Sequence, residues 1–327
     1  MVAAVSRPKV LLVGRIEYAF EEWAEIEKLC EVVQYADGDR QEFLDLVQSS
    51  RLNDCVAVCR SNQYGYLTGK FDDELLEALP ESVRYICNIG AGVDSIDLQA
   101  CKRRGIQVSN TPSLAADGVA ETVLFLIFGV LRRAAVPLHT ARKGILMMNK
   151  VIGLVGSGHI AQAVAFRARA FGMRVQYCTH SESSPSLENC TRTSFSEVIK
   201  ASDIISLHVP LNDSTKNVLG KDQFDMMKPG AAIINTARGE VIDNAELCRA
   251  VQSGKVWGVG LDVYEQEFHI PDEMRGDDRF FILPHIATHT HEIRGAMERV
   301  VIENLQAGIF ANRKDDGGDE GRLQNPV

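Results

Sequence analysis

The sequence predicts an α/β protein made of two doubly wound parallel sheets, and three observations carry that prediction. Short apolar runs alternate with polar, helix-compatible stretches, which is the signature of βαβ units. The alternation occurs twice, once up to about residue 112 and again, more regularly, from Val151 onward. A chain of 327 residues also exceeds the usual size of a single core, so two domains are the default.

In the first half, Lys9–Val13, Cys55–Cys59 and Arg84–Asn88 read as strands, with helices through Glu21–Leu29 and Asp72–Leu79. Ile106–Pro112 reads as a last strand running into a turn, because proline stops its continuation. Gly118–Arg132 is a long apolar helix. The second half reads as strand 151–155, turn and helix 156–171, strand 174–178, helix 195–201, strand 203–208, helix 222–228, strand 231–235, helix 243–253 and strands 257–262 and 281–283. From Thr288 the pattern turns helical again, and the Gly-rich polar tail 314–321 predicts loose structure.

A formal net charge of -9 argues against nucleic-acid or anionic-membrane partners, both of which favour a basic surface. No apolar run has the length of a membrane span, and Met1–Pro8 lacks a charged-then-apolar secretory layout, so a cytoplasmic protein is expected. Eight cysteines are scattered without a C-x-x-C pair, several inside apolar strands, and read as reduced, mostly buried thiols. No cluster has metal-ligand spacing, and no metal is expected.

Chemistry enters with Gly156-Ser157-Gly158-His159-Ile160-Ala161, a glycine-rich turn between a strand and a helix. Such a turn brings backbone N–H groups and a helix N-terminus against a pyrophosphate. Downstream lie Asn235-Thr236-Ala237-Arg238-Gly239, Leu261-Asp262-Val263, Glu267 and Pro284-His285. An arginine grips a carboxylate bidentately, a histidine donates the proton that accompanies hydride delivery, and a carboxylate keeps that histidine charged. The ordered series therefore reads as a nicotinamide site followed by groups for reducing a 2-oxo acid. After the second strand of this half, Tyr177-Cys178-Thr179-His180-Ser181 lacks the acid that ordinarily binds both ribose hydroxyls of NAD.

The same residues carry a resemblance. Gly90–Asp97, Ser109–Pro112, Val119–Thr122, the 156–161 turn, Leu207–Leu211, Met227–Gly230, Ile234–Gly239, Gly260–Tyr264 and Pro284-His285, in this order, resemble the D-2-hydroxyacid dehydrogenases, within them the fungal and glyoxylate/hydroxypyruvate reductase-like branch. The resemblance implies Rossmann-like and flavodoxin-like domains with the active site in a cleft between them. Residues 1–112 with 288–327 would form a discontinuous substrate domain, and 113–287 the dinucleotide domain. It implies that Arg238 binds the substrate carboxylate and carbonyl, that His285 is the general acid, and that Glu267, chosen over Glu265, pairs with it. Ala91 and Gly92 would offer N–H groups to the substrate carboxylate. Gly156, Gly158, His159, Ile160, Thr179, His180, Ser181, Val209, Pro210, Thr236, Ala237, Arg238 and His285 would line the cofactor, with Asp262 at the nicotinamide carboxamide.

NADP-preferring members often read Asn-Arg-Ser where this chain has Thr179-His180-Ser181, so NADP(H) is favoured and NAD(H) kept open. A homodimer is implied as well. Three departures stand out: Ala161 for the third glycine, Phe268 where proline commonly follows the acid, and a bridge, Ile145–Lys150, shorter than the family's. The Arg/Glu/His set is shared with non-enzymatic dinucleotide-sensing co-repressors of this fold, and the short bridge also fits a catalytically impaired paralogue.

Overall fold

The computed structural model describes residues 7–135, 144–180, 184–266, 270–310 and 326–327. The chain divides into two compact units, Met1–Leu114 with Thr290–Val327, and Ala115–His289.

The first unit runs β1 (Lys9–Val13), α1 (Phe20–Leu29), β2 (Glu31–Tyr35), α2 (Arg40–Gln48), β3 (Cys55–Ser61), α3 (Gly65–Thr68), α4 (Asp73–Ala78), β4 (Tyr85–Ile89), α5 (Leu98–Arg103) and β5 (Gln107–Ser109). All strands are parallel in the order β2-β1-β3-β4-β5, the flavodoxin-like winding. Every residue of β4 is buried, as expected for a strand covered by helices on both faces. The sequence reading missed β2, α2 and α5. Two of these carried a readable start signal: Asp39 accepts from the Glu42 N–H at the head of α2, and Asp97 from the Ala100 N–H at the head of α5.

The second unit runs α6 (Ala116–Arg132), β6 (Val151–Val155), α7 (His159–Ala170), β7 (Arg174–Cys178), β8 (Thr191–Arg192), α8 (Phe195–Ala201), β9 (Ile204–Leu207), α9 (Lys221–Met226), β10 (Ala231–Asn235), α10 (Asn244–Gln252), β11 (Val256–Leu261) and β12 (Phe280–Ile282). Its parallel sheet has the order β12-β11-β10-β9-β6-β7-β8. From β6 the chain winds outward through β7 and β8, then returns to the other side of β6 with β9. The sheet therefore has a topological switch point between β6 and β9, where open α/β sheets bind ligands. β8, two residues long and exposed, escaped the sequence reading because so short a run has no periodicity to detect.

The last helix, α11 (His291–Phe310), returns to the first unit and packs on β3, β4 and α1. It buries Glu298, whose carboxylate accepts from the N–H groups of Glu17 (3.0 Å), Tyr18 (2.8 Å) and Ala19 (2.9 Å). No side chain of its own caps α1, and Glu298, some 280 positions away, holds the three residues that lead into it.

Candidate active site

Register pairs join one continuous row across the second sheet: Cys178, Val155, Leu207, Asn235, Leu261 and Ile282. These are the carboxyl ends, or within one strand register of them, and the chain leaves the sheet on the same edge each time. Gly156 to Ile160, Thr179 and His180, Val209 and Pro210, Thr236 to Arg238, Asp262 and His285 all lie just beyond this row. Strand pairing thus assembles on one edge what the sequence scatters over more than a hundred positions. Ser181 and Glu267 lie outside the described residues.

At the switch point, Gly156 has φ +116°, and a Cβ there would come within 2.3 Å of the His208 carbonyl oxygen. Only glycine satisfies both the backbone and the neighbouring strand end. A Cβ on Gly158 would meet nothing within 4 Å, so the protein itself does not demand glycine there. Space beside the first turn of a helix is what a pyrophosphate needs. Gly158 heads α7 without a side-chain cap, and among the described residues nothing takes the N–H groups of His159, Ile160 and Ala161, which can serve an anion. Ala161 is fully buried in the helix–sheet packing, which accounts for a small residue in place of the third glycine. Thr236 Oγ1 is buried without a partner among the described residues, a further polar atom aimed at something other than protein. These features fit a dinucleotide.

Arg238 sits in a turn closed by Asn235, whose amide donates to the Arg238 carbonyl (2.8 Å) and whose oxygen accepts from the Ala237 N–H (3.0 Å). The half-buried guanidinium also donates to the Ala237 carbonyl (2.6 Å).

His285 is exposed and has a left-handed backbone, φ 56°, unusual for a residue with a Cβ. Bonds on both sides hold it. The Tyr264 hydroxyl donates to the Leu283 carbonyl (2.6 Å), and the fully buried Asp262 accepts from the N–H groups of Ile286 (2.8 Å) and Ala287 (3.0 Å). Sequence reading gave Asp262 to the cofactor; these contacts show that it also anchors the turn presenting the imidazole. Tyr264 was not singled out as a functional residue, since an aromatic after a strand is ordinarily core.

A second histidine at this edge is chemically distinct. Burial pushes His208 down to about 3, so its ring is neutral at working pH, and its Nε2 lies 2.9 Å from Ser206 Oγ. It is unsuited to donating a proton near neutrality, whereas His285 lies exposed at this edge. A cavity of about 250 Å³ behind the Asn235–Gly239 turn is lined by Ile242, Leu261, Tyr264 and Met274 among others. Among the described residues its lining includes neither Arg238 nor His285.

In the first unit, Ala91 is exposed and Gly92 half-buried, in the loop leaving the carboxyl end of β4. Among the described residues no group of His, Cys, Asp or Glu is placed to hold a metal ion, and no helix is long and apolar enough to cross a membrane.

Residues 132–287 match the family described as D-isomer specific 2-hydroxyacid dehydrogenase, NAD binding domain. The chain is 40% identical to 4-methyl-2-oxopentanoate reductase A of Aspergillus oryzae over 92% of its length and 95% of that protein's. Its structure resembles a crystal structure of a glyoxylate reductase from Paecilomyes thermophila, with TM-score 0.91, 38% identity and coverage of 99% of each chain. It also resembles an NADPH-dependent glyoxylate/hydroxypyruvate reductase of Sinorhizobium meliloti in complex with NADP and malonate, with TM-score 0.82, 27% identity and coverage of 98% of this chain and 97% of that one. The protein belongs to the D-isomer specific 2-hydroxyacid dehydrogenase family.

Proposed function

We propose that this protein is an NADP(H)-linked reductase of small 2-oxo acids such as glyoxylate and hydroxypyruvate, and the dehydrogenase of the corresponding D-2-hydroxy acids. The observation that carries the reading is the single row of strand ends bringing the glycine turn, Arg238, Asp262 and His285 to one edge. When bound, the reduced nicotinamide supplies the hydride. The 156–160 turn holds its pyrophosphate, with Val209, Pro210, Thr236 and Ala237 lining the remainder. Arg238 grips the substrate carboxylate and polarises the carbonyl, a forked contact that lysine cannot copy. His285 donates the proton to the carbonyl oxygen and takes it back in the reverse direction, and Glu267 keeps its imidazole charged. Ala91 and Gly92 give N–H groups to the substrate carboxylate.

The preference for NADP(H) is supported by Thr179 and His180 standing after β7 where an NAD site usually has an acid, and by the NADP complex of the Sinorhizobium relative. A homodimer is supported by large apolar side chains exposed on α6, α7 and the neighbouring turn, Phe125 (54%), Phe166 (73%) and Leu146 (61%) among them. A cytoplasmic setting is supported by eight cysteines held as free thiols.

The test is NADPH oxidation by the purified protein, with NADH in parallel, against glyoxylate, hydroxypyruvate, phenylpyruvate and 4-methyl-2-oxopentanoate. Turnover with NADPH on the small acids is expected. Tight cofactor binding without turnover on any of them would instead make the chain a dinucleotide sensor or an impaired paralogue.

A further inference from the structure

The loop that follows β4 is held from behind by three asparagine side chains. Asn88 Nδ2 donates to the carbonyls of Gly90 (3.2 Å) and Gly92 (3.2 Å), Asn62 Nδ2 to that of Gly92 (2.9 Å), and Asn110 Nδ2 to that of Ala91 (2.7 Å). Three successive carbonyls are thereby fixed. The Gly90 carbonyl also receives the Thr111 N–H (3.2 Å), and the Gly90 N–H is spent on Thr111 Oγ1 (3.0 Å). The fit is tight: Gly90 has φ +141°, and a Cβ there would fall 2.5 Å from Asn62 Nδ2 and 3.4 Å from Asn88 Nδ2.

A trans peptide is planar, with the N–H of each residue pointing opposite to the preceding carbonyl. Fixing the carbonyls of residues 90, 91 and 92 therefore also fixes the directions of the N–H groups of Ala91, Gly92 and Val93. None of these three N–H groups has a hydrogen-bond partner among the described residues. Backbone N–H groups held in fixed directions in a loop can serve an anion. All three clamping groups are neutral, so none repels that anion as a carboxylate would.

We propose that Asn62, Asn88 and Asn110 are positioning residues for the substrate carboxylate, acting through the N–H groups of Ala91, Gly92 and Val93. The inference rests on the 2-oxo acid reading above and deepens it: Val93 becomes a third donor, and the asparagines set affinity for the acid group rather than the rate of hydride transfer. Asn62 is exposed, so its replacement spares the core.

The experiment compares wild type, Asn62→Ala and Asn62→Asp by steady-state kinetics with glyoxylate and NADPH, inhibition by oxalate, and thermal unfolding. Loss of one donor to a carbonyl is expected to raise KM for glyoxylate and Ki for oxalate together by about 10-fold in Asn62→Ala. The effect should be larger in Asn62→Asp, where a carboxylate opposes the Gly92 carbonyl and adds negative charge to the loop that receives the anion. In both variants kcat should stay within about threefold and KM for NADPH unchanged, since an interaction made equally in ground and transition states moves KM alone. Glyoxylate KM and oxalate Ki within twofold of wild type in both variants would overturn the clamp while leaving the reductase reading intact. Parallel loss of kcat, NADPH affinity and thermal stability would also overturn it, by reducing Asn62 to a structural role. Failure of the wild type itself to reduce any 2-oxo acid or bind oxalate would remove the underlying reading and the clamp with it.

Discussion

Two loops, one in each unit, are presented by opposite means. The 90–93 loop is held by neutral amides donating to its carbonyls, whereas the turn at His285 is held by a buried carboxylate, Asp262, accepting from its N–H groups. The difference follows from what each loop must show. A loop that offers N–H groups to an anion has its carbonyls tied down, and a charged anchor there would repel the ligand. A turn that offers an imidazole can have its N–H groups taken by a carboxylate, because the group it shows is a side chain rather than the main chain. The anchor is thus matched to the ligand-facing group.

The comparison breaks most completely at the group presented. His285→Ala is expected to lower kcat for glyoxylate reduction by about 10³-fold, within the range of positioned acid catalysis, with NADPH binding retained in a fluorescence titration. Near-wild-type turnover would take His285 out of the mechanism. Next in size is its anchor. Asp262→Asn keeps one acceptor oxygen but turns an NH₂ on the second N–H, and kcat should fall by about 10- to 100-fold as the strained φ of His285 relaxes. Amide hydrogen exchange at Ile286 and Ala287 should accelerate in that variant. Unchanged exchange with unchanged kcat would mean that Asp262 does not hold the turn.

The other loop is probed by Gly90→Ala. An added Cβ collides with the Asn62 amide and strains the backbone, so KM for glyoxylate should rise by about 10-fold while kcat moves little. A rise in KM for NADPH instead would separate the loop from the carboxylate. The smallest effect on activity is expected from Glu298→Gln, which alters a buried anchor at neither loop. It should cost about 1 to 3 kcal/mol in urea unfolding, from N–H groups left unpaired at the head of α1, with kcat nearly intact. Equal loss of kcat would show that the frame of the first unit reaches the chemistry.

Much of the fold was legible because parallel strands covered on both faces are continuous apolar runs, as in Tyr85–Ile89 and Ala231–Asn235. The missed β2 is half-exposed, with an alternating pattern too short to stand out, and in α2 polar residues surround a short apolar cluster of Phe43, Leu44, Leu46 and Val47. Among the proposed site residues, the glycine turn, Arg238 and His285 stand out in the sequence as motifs with a chemical reason. Asn62, Asn88 and Tyr264 do not, because an asparagine or tyrosine beside a strand has many uses and its partner is a backbone atom that no sequence pattern marks.

By itself the sequence determined the α/β class, the order of the motifs and the kinds of group available for chemistry, since periodicity, glycine and charge are local properties. Only the tertiary structure decided that Asp262 closes on Ile286 and Ala287, that three asparagines converge on residues 90–92, and that Glu298 holds the residues leading into α1. Each is a hydrogen bond to main chain. Every residue carries the same donor and acceptor there, so which of them is met depends on how the strands and helices pack.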